Sequence, residues 1–126
     1  MNKTFWKDKK VLITGDSGFK GAWLSLVLNS AGANIQGLSS SELNNNYELF
    51  KNLRISEISN TIDADIRDLS AVQKIFNNFE PEIIFHLAAQ PLVRESYLDP
   101  INTYSINVMG TLNILEAVRN SKSINS

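Results

Sequence analysis

Gly15, Gly18 and Gly21 stand three residues apart, directly after the apolar run VLIT (11–14). A glycine-rich turn between a strand and a helix aims backbone N–H groups, and the positive end of the helix, at a phosphate. In such a loop Gly15 permits the tight turn, Gly18 lets a pyrophosphate approach the backbone, and Gly21 lets helix and strand pack closely. The spacing is G-x-x-G-x-x-G, not G-x-G-x-x-G. What favours a dinucleotide cradle over a merely structural turn is the context, a strand pattern before the glycines and a helical pattern after them.

The acid that usually holds the adenosine ribose comes about 20 residues after the loop. Here the second apolar run ends in Ser39, Ser40 and Ser41, and the nearest acid is Glu42. No Lys or Arg occurs between Lys20 and Lys51, so a 2′-phosphate would find no cation, which favours NAD over NADP. Asp65 can accept a hydrogen bond from the adenine amine while Ile66 packs on the ring. Asp63, Asp65 and Asp68 could suggest a metal, but strand alternation and helix capping account for them, and no metal site is expected.

The composition narrows the classes of function. The chain has 126 residues and a net charge of −1, so no global field draws it to nucleic acid or to an anionic membrane. It has no cysteine and one histidine, His86, which removes disulfide frameworks, zinc sites and cysteine nucleophiles. Lys3, Lys7, Lys9 and Lys10 read as a solvated approach to the first strand, because no basic stripe continues elsewhere. No apolar run is long enough for a signal peptide or a membrane span. A soluble, cytoplasmic protein is the expectation.

Positioning the glycines and acids requires an alternation of strands and helices. The run at 9–14 reads as a buried strand. From Phe19 a helix follows, with Trp23, Leu24, Val27, Leu28 and Ala31 as its apolar stripe and Gly32 as its stop. A second strand spans 33–39, and the polar stretch after it (39–50) reads as a surface loop. A third strand occupies 60–65. Asp68 caps a helix to about Phe79, with Leu69, Val72, Ile75, Phe76 and Phe79 inward, and Pro81 ends it. The most apolar strand, 82–89, belongs in the middle of a sheet. Asp99 and Pro100 start a last helix, whose Ile101, Tyr104, Val108, Leu112, Leu115 and Val118 repeat at helical spacing to about Arg119. Such alternation gives a doubly wound parallel α/β sheet of the Rossmann type, with strand order 3-2-1-4.

The strings "TGDSGFKG" (14–21) and "HLAA" (86–89) resemble the extended short-chain dehydrogenase/reductase family, whose loop is T-G-x-x-G-F-x-G and whose fourth strand ends H-x-A-A. More narrowly, "GFKGAWL" and "AAQPLVRESYLDP" are similar to the sugar-nucleotide 4,6-dehydratases that act on CDP-glucose. The resemblance implies NAD held by Gly15, Gly18, Phe19, Lys20 and Gly21, the adenine by Asp65 and Ile66, and the ribose and nicotinamide side by Leu87, Ala88, Ala89 and Gln90. Gln90, Arg94, Ser96 and Tyr97 leave the carboxyl end of the fourth strand, where open α/β sheets bind ligands, and are the expected substrate contacts, with Arg94 facing an anion. Asn107, on one helix face with Tyr104 and Thr111, matches a residue that supports the family's active-site helix and proton relay. His86, though a ligand type, reads as packed at its strand end.

The implied reaction turns CDP-glucose into its 4-keto-6-deoxy form by internal hydride transfer and loss of water, in deoxysugar and lipopolysaccharide synthesis. It needs a Tyr-x-x-x-Lys helix. The one literal match, "YELFK" from Tyr47 to Lys51, follows the second strand on the adenine side and reads as coincidence. The expectation is therefore the N-terminal, NAD-binding part of a longer, homo-oligomeric enzyme. Its fifth strand, principal catalytic residues and substrate domain would follow the last helix, so the chain alone would be inactive. An epimerase or dehydratase of another sugar nucleotide stays open as an alternative. So does a free-standing NAD-binding module without chemistry.

Overall fold

The computed structural model describes residues 2–40 and 51–124; Glu42 and Tyr47 lie outside them. The elements run α1 (Lys3–Trp6), β1 (Lys10–Thr14), α2 (Phe19–Ser30), β2 (Asn34–Ser39), a 3-10 turn (Ile55–Glu57), β3 (Ser59–Asp63), α3 (Leu69–Phe79), β4 (Ile83–His86), α4 (Val93–Leu98), α5 (Pro100–Tyr104), a π-helical turn (Ser105–Gly110) and α6 (Thr111–Asn120). The four strands form one sheet in the expected order β3-β2-β1-β4, parallel throughout. Among the described residues no helix is long and apolar enough to cross a membrane.

Strand alternation divides the core into two layers. Val11 and Ile13 of β1 pack with Leu28, Ala33, Ile35 and Ile83 on one face, with Trp6, Leu24 and Phe85 against them. Leu12 and Leu38 point the other way, to Ile66, Val72, Ile75, Phe76, Ile106, Ile114 and Ala117. Leu12 is fully buried at the centre of this second layer. Leu12→Ala is expected to destabilise the fold by about 3 kcal/mol, the usual range for a buried leucine truncated to alanine. Urea unfolding should show a lower midpoint at an unchanged slope.

Two helix faces differ from the sequence expectation. On α2 the buried residues are Gly21, Ala22, Ser25 and Leu28, whereas Trp23 and Val27 are about half exposed. The helix turns its small residues to the sheet because its first turn lies against the backbone of the glycine loop, where a Cβ on Gly21 would overlap the Gly15 carbonyl. On the last helical stretch Ile106, Gly110, Ile114 and Ala117 face inward, while Ile101, Tyr104, Val108, Leu112 and Leu115 are exposed. Two causes act together. The π turn adds a residue per turn and resets the phase of the helix, and the Ile66 side chain occupies the space a Cβ on Gly110 would need.

Strand ends and short helices differ too. Asn2 caps α1 by accepting from the amides of Thr4 and Phe5. The lysine-rich start is thus helical, and Lys9 pairs with Glu82 at 2.6 Å, so not all of its charge is simply solvated. β4 stops at His86 rather than running to 89, because β1 turns away at Gly15 after the Leu87 amide has bonded the Thr14 carbonyl at 3.0 Å. The Thr14 hydroxyl shares the Leu87 amide at 3.1 Å and also accepts from that of Ala88 at 3.2 Å. Among the described residues β4 is an outer strand, paired only with β1, not a middle one.

Candidate functional site

The carboxyl ends of all four strands open into one cleft of about 470 Å³, inside the roughly 300–1,000 Å³ typical of small-molecule sites. β1 sits where connections diverge to β2 on one side and β4 on the other, the switch point at which open α/β sheets bind ligands. Ten of the residues singled out in the sequence converge there: Gly15, Gly18, Phe19, Lys20, Gly21, Asp65, Ile66, Leu87, Ala88 and Ala89. Ser17, Leu38, Ser39, Ser40, Ala64, Pro91, Leu92 and Ile106 complete the wall. Of these, only Ser39 and Ser40 carried a signal in the sequence, as small polar residues at a strand end where an acid is usual.

The glycine loop is shaped by contact with its surroundings. Gly15 has φ 73°, and a Cβ there would lie 2.8 Å from the Ala88 amide nitrogen. The loop after β4 thus passes directly over it. Gly18 precedes α2 with no side-chain cap. The first-turn amides of Phe19, Lys20 and Gly21 therefore have no intrahelical partner, and these residues line the cleft. The arrangement concentrates positive potential at the helix start.

The opposite wall is fixed by a directed chain of hydrogen bonds. Thr14 Oγ1 already accepts from two amides, so its single proton goes to His86 Nδ1, 2.7 Å away. His86 Nε2 then carries the ring proton and donates to Thr111 Oγ1 at 2.9 Å. Thr111 donates in turn to the Asn107 carbonyl at 2.7 Å, inside the π turn. The Asn107 side chain reaches back to the β4 loop, accepting from Gln90 N at 2.7 Å and donating to Gln90 O at 3.0 Å. Burial holds the His86 pKa below its ordinary 6.5, in keeping with the neutral tautomer.

That shift has a pH consequence. The unfolded chain protonates its histidine before the folded one does, so stability falls as pH drops below about 6.5. Carboxylates whose pKa is lowered, such as Asp65 and Asp68, contribute only at lower pH, and Asp16, whose pKa burial raises, acts in the opposite sense. Melting temperature should decline between about pH 7 and pH 5 in the wild type, and His86→Gln should flatten that segment. Equal slopes in the two proteins would show that His86 titrates freely.

The remaining expected residues are placed less centrally. The Gln90 side chain donates to Thr103 Oγ1 and Leu92 O and does not line the cleft. Arg94, Ser96 and Tyr97 lie on α4, outside the lining residues; Tyr97 is 85% exposed, and Ser96 donates to Val93 O. Asp65 is held by Arg67, whose guanidinium lies 2.5 Å from Oδ2 and keeps the carboxyl below its ordinary range. Lys51 is described but Tyr47 is not, so "YELFK" has no geometry here. Among the described residues no three His, Cys, Asp or Glu side chains cluster as a metal site would require.

Residues 12–126 match the family model described as GDP-mannose 4,6 dehydratase. The chain is similar to the CDP-glucose 4,6-dehydratase of Salmonella typhimurium, at 45% identity over 94% of this chain and 33% of that protein. Among solved structures it resembles an epimerase from Methanothermobacter thermautotrophicus, with TM-score 0.84 and 27% identity over 98% of this chain and 35% of that one. It also resembles a Thermus thermophilus UDP-glucose 4-epimerase in complex with NAD, with TM-score 0.74 and 31% identity over 86% of this chain and 33% of that one. The chain spans about a third of the length of these relatives.

Proposed function

The chain belongs to the GDP-mannose 4,6 dehydratase family, and on that premise we propose that its cleft binds NAD as part of a sugar-nucleotide 4,6-dehydratase acting on CDP-glucose. The observation that carries the cofactor is the helix start at Gly18. Its backbone, φ −75° and ψ 170°, is one that any residue adopts. Among the described residues a Cβ at Gly18 would meet only the Gly15 carbonyl oxygen, at 3.2 Å. That contact is tight, so the loop would have to give slightly to admit a side chain. A pyrophosphate lying against the backbone adds a stronger demand for glycine, and the residues present fit that group.

In this reading the amides of Phe19, Lys20 and Gly21 hold the pyrophosphate, with the Lys20 side chain at the same helix start. Asp65 and Ile66 hold the adenine. Leu87, Ala88, Ala89 and Gln90 form the nicotinamide side, and Asn107 positions that wall through the Gln90 backbone. When bound, NAD supplies the reversible oxidation and reduction of the sugar. Gln90, Arg94, Ser96 and Tyr97 are proposed to contact the nucleotide sugar. The choice of CDP-glucose is supported by the 45% identity to the Salmonella typhimurium enzyme, against 32% to the dTDP-glucose 4,6-dehydratase 1 of Escherichia coli.

The test is product analysis with the natural protein, NAD and CDP-glucose. Mass spectrometry should find a nucleotide sugar lighter by one water. An unchanged mass with an altered sugar configuration would instead make it an epimerase, and turnover only with another nucleotide base would overturn the substrate.

A further inference from the structure

Asp16, the residue after the first glycine, has no solvent exposure, yet its carboxylate reaches across the sheet. It accepts from Ser39 Oγ at the end of β2 and from Thr61 Oγ1 on β3, both at 2.5 Å. Its own amide and that of Ser17 also contribute hydrogen bonds. Burial raises the Asp16 pKa above the ordinary carboxylate value, while the donors converging on its two oxygens favour the ionised form. The niche is built for it. Gly37, paired with Thr61 in the sheet register, leaves the space the carboxylate fills, and a Cβ on Gly37 would overlap Asp16 Oδ2.

This arrangement fixes the polarity of Ser39, which lines the cleft. A hydroxyl has one proton and two lone pairs. The Ser39 proton is committed to Asp16, and one lone pair accepts from Ser17 N at 3.2 Å. Toward a ligand, Ser39 is left able only to accept. It lies 21 residues after Gly18, at the strand end where an acid would ordinarily receive the ribose hydroxyls. A hydroxyl can donate to such a group. A dianionic phosphate cannot, and from the half-buried cleft wall it would also face the charge of the fully buried Asp16 behind the serine.

We propose that Asp16, acting through Ser39, makes the cleft select a dinucleotide with a free ribose 2′-hydroxyl and reject its 2′-phosphorylated counterpart. The acid that the second strand lacks is supplied from within the glycine loop, as a positioning residue behind a neutral hydroxyl. The inference rests on the NAD reading above and adds the source of its specificity.

Calorimetric titration of the chain with NAD and with NADP, for wild type, Asp16→Asn and Ser39→Ala, separates the two. Wild type should bind NAD and largely refuse NADP. Asp16→Asn removes the charge behind Ser39, so the NAD-to-NADP affinity ratio should fall at least about tenfold. Thermal melts without nucleotide report whether the variant folds. Should Asp16→Asn not fold, Ser39→Ala carries the decision, because it removes the acceptor while keeping the charge. It should weaken NAD by roughly tenfold and leave NADP excluded. A folded Asp16→Asn whose two affinities fall together, at an unchanged ratio, would overturn the proposal while leaving NAD binding standing. So would a Ser39→Ala that alters neither affinity or lowers both alike. A wild-type chain that binds neither nucleotide would overturn the NAD reading and this inference with it.

Discussion

Gly21→Val is expected to lower the melting temperature by more than about 10 °C, the shift that a loss of roughly 3 kcal/mol produces in a domain of this size. A Cβ at Gly21 would lie 2.6 Å from Asp16 Cα and 2.8 Å from the Gly15 carbonyl carbon. These are backbone atoms of a loop whose Gly15 is itself pressed against Ala88, so neither side can yield cheaply. Overpacking in a tight site usually costs about 1–3 kcal/mol, and the two extra methyl groups of valine push the helix start further from β1. Gly32→Ala is the useful contrast. Gly32 has φ 89°, but its nearest contact would be an ordinary 3.5 Å to Lys7 Cα, so only backbone strain of about 1 kcal/mol is expected. Equal losses for the two variants would mean that the loop is soft and that Gly21 does not set the helix–strand distance.

Gly18→Val should separate folding from binding. The dihedrals at Gly18 suit any residue, but a Cβ would sit 3.2 Å from the Gly15 carbonyl oxygen, so the melting temperature should fall, though by less than in Gly21→Val, whose Cβ would overlap that atom. NAD affinity should nevertheless fall at least about 100-fold, because the branched side chain fills the space beside the first-turn amides. That fold-change corresponds to about 2.7 kcal/mol. Titration of wild type and variant under the same conditions reads both numbers. Retained affinity in Gly18→Val would remove the helix start from the site.

The residues that define the cleft were legible because their signals are local. A glycine loop after an apolar strand, Asp68 accepting from the amides of Ser70 and Ala71, and Asp99 before Pro100 at the start of α5 each carry their geometry within a few positions. The helix faces were not legible. Periodicity finds an apolar stripe but does not say which of two stripes faces inward. On the last helix the larger stripe, Ile101 to Leu115, is exposed, and the smaller one, Ile106, Gly110, Ile114 and Ala117, packs against α3 and Ile66. Close approach selects small residues, and the partner that requires it lies about 40 residues earlier in the chain. Asp16 was hidden for the same reason. Its three contacts come from positions 17, 39 and 61, and nothing near it in sequence announces a buried carboxylate.

The central claim is that NAD lies along the carboxyl ends of the four strands, over the glycine loop. Amide hydrogen exchange with and without NAD tests it most directly, since exchange reports local opening and ligand cover residue by residue. The account predicts that NAD slows exchange in 15–21, 64–66 and 87–90, and leaves the exposed face of α6 unchanged. Saturating NAD that protects none of these segments, or protects only residues outside the cleft, would contradict it.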